Sequence, residues 1–201
     1  MSATLPNDYL HDVFISYTRS DVITPWVIKY LYPQLKSYMD QNLGGQRAEI
    51  YMDQLNIEGG ERWPQALRDA LLTSKCLVPV LSGEYFSRPW CFSEWRNFVD
   101  REKMLGLDIT SESLIIPVVW NDGEWFLEEV EQYQLKFDFK DCRSNSPYFE
   151  KSDKYFVFEE KVERLAEAIA RKVRGAPEFN HRWPVLEFDP NKPTVPLKTL
   201  A

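Results

Sequence analysis

Along this chain apolar residues gather into short continuous runs, and in the stretches between those runs they recur every third or fourth position. That alternation is the pattern of a parallel sheet whose strands are joined by crossover helices. Five runs have strand length: Asp12-Val-Phe-Ile-Ser-Tyr17, Glu49-Ile-Tyr-Met52, Cys76 to Leu81, Leu114-Ile-Ile-Pro-Val-Val119 and Gln134-Leu-Lys-Phe-Asp-Phe139. A first helix is expected from Thr24-Pro25, a capping residue followed by proline at the first helical position, and carries Trp26, Leu31, Leu35 and Met39. Pro33 is expected to kink or interrupt it, and Gly44-Gly45 breaks the chain before the second strand. Trp63, Ala66, Leu67, Ala70 and Leu71 mark a second helix. A third runs from Ser87 to Met104 with Cys91, Trp95 and Phe98 on its apolar stripe, and a closing helix covers Glu159 to Val173.

The 201 residues, 44% of them hydrophobic, suit one domain of ordinary size with extensions. The expected division is an N-terminal extension over 1–7, a domain over 8–175, and an extended arm or linker over 176–201 that contains Pro177, Pro184, Pro190, Pro193 and Pro196. A net charge of −7, with Lys and Arg scattered rather than striped, argues against a nucleic-acid surface. Cys76, Cys91 and Cys142 are odd in number and widely spaced, which suits a reducing compartment better than a disulfide framework. With His11 and His181 the only histidines, a Cys/His zinc site is not expected. The first residues show no basic and apolar leader pattern, and no apolar run approaches the roughly 18 residues that span a bilayer. A soluble, cytoplasmic protein is expected.

The segment from Ser82 to Trp95 carries the candidate chemistry. On a helix, Trp90 and Glu94 lie one above the other, displaced from the centre of the apolar stripe. They follow directly on the third strand, where open α/β sheets place a ligand crevice. The pair would set a flat aromatic ligand beside a carboxylate, although Trp90 also reads as partial core and Glu94 as a solvated helix face. Other motifs carry less. Asp53 ends a strand as the phosphorylated aspartate of receiver domains does, but no acidic cluster and lysine accompany it, so loop anchoring is the better reading. Ser82-Gly83 lacks a histidine placed to activate the serine. There is no P-loop and no Gly-x-Gly-x-x-Gly.

Taken in order and with their spacing, Asp12-Val-Phe-Ile-Ser-Tyr17, Ile50-Tyr-Met-Asp53, the loop Ile57-Glu-Gly-Gly60 leading into Trp63, and Val80-Leu-Ser82 with Trp90-Cys-Phe-Ser-Glu94-Trp95 resemble a Toll/interleukin-1 receptor (TIR) domain. The resemblance implies an α/β fold, a flavodoxin-like five-stranded parallel sheet flanked by helices. It points to the bacterial-type subset that cleaves NAD+ between nicotinamide and ribose, with NAD+ as substrate rather than bound cofactor and with no metal. In that subset Glu94 falls at the catalytic glutamate and Trp90 at the ring four residues before it. Tyr17, Arg19, Asp53 and Ile57 are implied to contact substrate, while Thr18 stands where some members keep a second basic residue. Glu58, Gly59 and Gly60 fall in the loop implied to mediate assembly. The implied partners are NAD+, further TIR domains and a sensor or effector protein, in bacterial anti-phage or stress signalling. The alternatives are a non-catalytic TIR module that acts by assembly, and a receiver-like domain sharing only the fold.

Overall fold

Strand β1, His11–Tyr17, is an inner strand of the sheet, and both of its faces are buried. Val13, Ile15 and Tyr17 point into one core cluster and Phe14 into the other, as the period of two in a strand requires. The computed structural model describes residues 8–52, 65–121, 126, 128–134 and 136–185. The other strands are β2 (Ile50–Met52), β3 (Ser74–Leu81), β4 (Val118–Val119) and β5 (Phe137–Asp138). All pairings are parallel, in the order β2-β1-β3-β4-β5. The helices are α1 (Ile23–Trp26), α2 (Tyr32–Asn42), α3 (Gln65–Thr73), α4 (Pro89–Leu105) and α5 (Asp153–Arg174). Helices α1, α2 and α5 cover the face of Val13 and Ile15, and α3 and α4 cover the face of Phe14.

Three expectations are refined or corrected for physical reasons. Pro33 interrupts the α-helix, as expected, but does not end the helical run. A π-helical stretch, Val27–Leu31, joins α1 to α2, and Tyr32 N–H donates to Val27 O, so that Pro33 enters α2 in its first turn, where a missing N–H costs little. The fourth apolar run lies alongside β3 from Leu114 onward, with Leu77 N donating to Leu114 O and Ile116 N to Leu77 O. Pro117, which has no N–H, interrupts its ladder, and β4 shortens to two residues. The expected arm over 176–201 is corrected for its first ten residues, which pack back on the body. Tyr9 Oη donates to Pro177 O at 2.8 Å, and Trp183 is 3% exposed.

Two adjacent charged residues fix the distal half of α4, the helix that carries Trp90 and Glu94. Arg101, 1% exposed, donates to Ser74 O at 2.7 Å and Leu71 O at 2.8 Å. Its guanidinium lies between the rings of Phe98 and Trp183, at 4.3 and 4.2 Å. Burial lowers its pKa to about 10, still well above neutrality. Glu102 accepts from Ser113 Oγ, Leu114 N, Ile115 N and Tyr133 Oη, and so pins the chain entering β4. Gly106 then ends α4 in the left-handed conformation, at φ 65°.

Candidate active-site cleft

The chain passes from β1 outward to β2 and then crosses back to β3 on the other side of β1, so the strand order reverses between β1 and β3. Crossover connections diverge at such a point and leave a crevice beyond the carboxyl ends of the two strands. A cleft of about 210 Å³ lies there, lined by Ile15, Ser16, Tyr17, Thr18 and Arg19 from the end of β1, and by Arg88, Trp90, Cys91 and Glu94 from the start of α4. Arg88 is extended because Pro89 follows it, and Pro89 opens the helix at its first position. The first turns of α4 therefore stand directly over the end of β1.

Glu94 sits at the floor of this cleft. The sequence pattern places it on a partly exposed face, but it is 6% exposed. The cause is that Ser16 and Tyr85 close over it: Ser16 Oγ donates to Glu94 Oε2, and Ser16 Oγ lies 2.6 Å from Tyr85 Oη. Burial pushes the Tyr85 phenol well above its ordinary pKa, and the neighbouring Cys91 and Glu94 push it the same way. Burial also raises the Cys91 thiol, with Glu94 adding to the effect and hydrogen bonding with Thr18 and Ser16 opposing it. Both groups stay neutral near pH 7, so Glu94 is the acidic side chain among the cleft-lining residues.

Trp90 is half-buried. It packs against the core cluster of the α3–α4 face and also lines the cleft. Tyr17 is buried in the opposite cluster and reaches the cleft, and Arg19 is half-buried at its mouth. Thr18 points inward and accepts a hydrogen bond from Ser82 Oγ at 3.2 Å, so position 18 contributes no cation to the rim. Arg88 supplies the second guanidinium there, exposed and paired with Glu84. Asp53, Ile57, Glu58, Gly59 and Gly60 lie outside the described residues. Ser16, Tyr85 and Arg88 were missed in the sequence. The signal for Ser16 was a polar residue inside an otherwise apolar strand. Among the described residues no group of three or more His, Cys, Asp or Glu side chains could hold a metal ion, and no helix is long and apolar enough to cross a membrane.

A flavodoxin-like α/β domain with a carboxyl group and an indole sharing the switch-point crevice defines the class of protein. Within that class the chain belongs to the TIR domain family, whose profile matches residues 13–151. It is similar to Toll-like receptor 12 of Mus musculus, 32% identical over 88 residues, a stretch that is 44% of this chain and 9% of that protein. The chain therefore spans less than a tenth of the length of that curated relative. Among solved structures it is similar to the TIR domain of the Toll-related receptor TRR-2 from Hydra magnipapillata, at 22% identity and a TM-score of 0.41 over 75% of this chain and 98% of that one. It is also similar to the TIR domains of the activated Roq1 resistosome directly recognizing the pathogen effector XopQ, at 20% identity and a TM-score of 0.40 over 82% of this chain and 84% of that one.

Proposed function

We propose that this TIR domain is an NAD+ nucleosidase, cleaving the nicotinamide–ribose bond. The observation that carries the reading is the meeting of Glu94 and Trp90 in one cleft at the β1–β3 switch point, with Arg19 and Arg88 at its mouth. As the bond between the pyridinium nitrogen and the anomeric carbon breaks, its electron pair returns to the ring. Nicotinamide departs neutral, so no acid is needed, and positive charge builds on the ribose. A carboxylate at the floor of the cleft stabilises that charge and holds the ribose hydroxyls. The indole of Trp90 offers a ring face to the cationic nicotinamide, worth roughly 1–2 kcal/mol once water is excluded. The cleft, about 210 Å³, is smaller than the roughly 300–1,000 Å³ of pockets that enclose a drug-sized ligand. It suits the nicotinamide riboside end alone, with the pyrophosphate leaving past the two guanidinium groups. Water capturing the ribosyl cation gives ADP-ribose and a proton. Capture by the adenine of the same molecule gives a cyclic ADP-ribose.

In this reading the domain self-associates through the loop that contains Glu58, Gly59 and Gly60, responds to a sensor or effector protein, and serves bacterial anti-phage or immune signalling in the cytoplasm. The test is nicotinamide release by the purified chain, followed by chromatography, for wild type and Glu94→Gln. Loss of at least about 100-fold in the variant, with the fold intact, is the expected result. Equal release by both would remove Glu94 from the chemistry. The alternative reading is a non-catalytic TIR module acting by TIR–TIR contacts. That reading expects no release from wild type and assembly unaffected by Glu94→Gln.

A further inference from the structure

Beside Glu94, two buried hydroxyls form a chain that ends on its carboxylate. Ser16 is 1% exposed and Tyr85 is fully buried. A serine hydroxyl has one hydrogen and two lone pairs. Its hydrogen goes to Glu94 Oε2, so toward Tyr85, at 2.6 Å, it accepts, and the phenol donates. The direction Tyr85 to Ser16 to Glu94 follows from counting hydrogens. Each member sits on a rigid support. Ser16 belongs to β1, an inner strand, and pairs in register with Pro79 of β3, and the Tyr85 ring stands edge-on to Phe86 at 5.0 Å. Glu94 is on the second turn of α4, whose far end is clasped through Arg101 and Glu102.

We infer that Ser16 and Tyr85 are positioning residues for the cleavage reaction, holding the Glu94 carboxylate where charge develops on the ribose. This rests on the nucleosidase reading. Neither hydroxyl is assigned contact with substrate. Ser16 orients the carboxylate, and Tyr85, by donating to Ser16, fixes the direction in which the serine hydrogen points. A carboxylate acting on charge that appears only in the transition state contributes to kcat rather than to ground-state binding. Loosening its position therefore lowers kcat and leaves KM nearly unchanged. A misplacement of about 1 Å costs on the order of 100-fold in rate.

The experiment measures kcat and KM for nicotinamide release, with folded fraction read by circular dichroism, in Ser16→Ala, Tyr85→Phe and the double variant. Ser16→Ala is expected to lower kcat by roughly 10–100-fold with KM within about threefold of wild type. Tyr85→Phe, which keeps the ring, is expected to lower kcat less. Because Tyr85 acts through Ser16, the double variant should be no slower than Ser16→Ala alone, a non-additivity expected of groups in one network. A merely structural role predicts losses that follow the folded fraction and multiply in the double variant, and that pattern would overturn the inference. Should Ser16→Ala not fold, a Tyr85→Phe variant that folds but turns over at the wild-type rate would overturn it equally. An active wild type with unaffected variants refutes the positioning role alone. An inert wild type refutes the nucleosidase reading and this inference together.

Discussion

Replacing Glu102 separates what a carboxylate contributes as an acceptor from what it costs as a buried charge. Its side chain takes hydrogen bonds from Leu114 N at 2.6 Å, Ser113 Oγ at 2.7 Å, Tyr133 Oη at 2.9 Å and Ile115 N at 3.2 Å. In Glu102→Ala, Ser113 Oγ still reaches Ile115 O, and Ile115 N still reaches Ser113 Oγ, each at 2.9 Å. Leu114 N and the Tyr133 phenol keep no acceptor among the described residues. Two stranded buried donors at about 1–3 kcal/mol each put the loss at roughly 2–6 kcal/mol. In Glu102→Gln the amide oxygen retains the Ser113 and Leu114 bonds, and the amide N–H donates to Tyr133 Oη, which turns to accept. The loss should then stay under about 2 kcal/mol. Burial raises the Glu102 pKa, against the hydrogen bonds that lower it. The folded state therefore holds the proton to higher pH than the unfolded chain, and ionisation removes stability. Relative to Glu102→Gln, wild type should lose stability as pH rises from the unfolded glutamate value of about 4.3 through the higher folded value. Urea denaturation across that range, followed by far-ultraviolet circular dichroism, measures both effects. Alanine and glutamine variants within about 1 kcal/mol of each other, or a difference curve that rises with pH, would refute the reasoning.

The remaining predictions need only standard assays. Trp90→Phe should retain much of the nicotinamide release, because a ring face remains, whereas Trp90→Leu should lose most of it; equal loss in both would show that the stacking face is not what matters. Trp183→Ala should cost roughly 3–5 kcal/mol as a buried indole and lower the melting temperature by about 10 °C, with a shift under about 2 °C counting against the packing of residues 176–185. Burial raises the Cys76 and Cys142 thiols to about 12 and the Cys91 thiol further. Iodoacetamide at pH 7 should therefore leave the native chain unmodified and label it in urea, and rapid native labelling at any one position would contradict its burial.

The sheet was legible because its strands are buried on both faces and read as unbroken apolar runs. The spacing of Trp90 and Glu94 was legible because a four-residue interval on a helix needs no tertiary information. What surrounds Glu94 depends on contacts between residues far apart in sequence. Ser16 is 78 residues away from it, and nothing local marks a serine in β1 as facing a glutamate in α4. For the same reason its displacement from the apolar stripe suggested partial exposure, when β1 and Tyr85 in fact cover it. Arg101 and Glu102 carry charges on a helix, which a sequence pattern assigns to solvent. Their burial depends on carbonyls, amides and rings supplied by four other segments. In the tail, five prolines outweighed Phe179 and Trp183, the aromatic residues that dock it. The docking partner, Tyr9, lies at the other end of the chain.

The rings of Tyr9 and Trp183, 5.6 Å apart, meet beside the amino end of β1, at the opposite end of that strand from the cleft. At about 3.3 Å per residue, β1 sets that separation at roughly 20 Å. A change confined to that aromatic contact is therefore separated from the cleft by the length of a strand, and a variant there that alters nicotinamide release must act through the sheet.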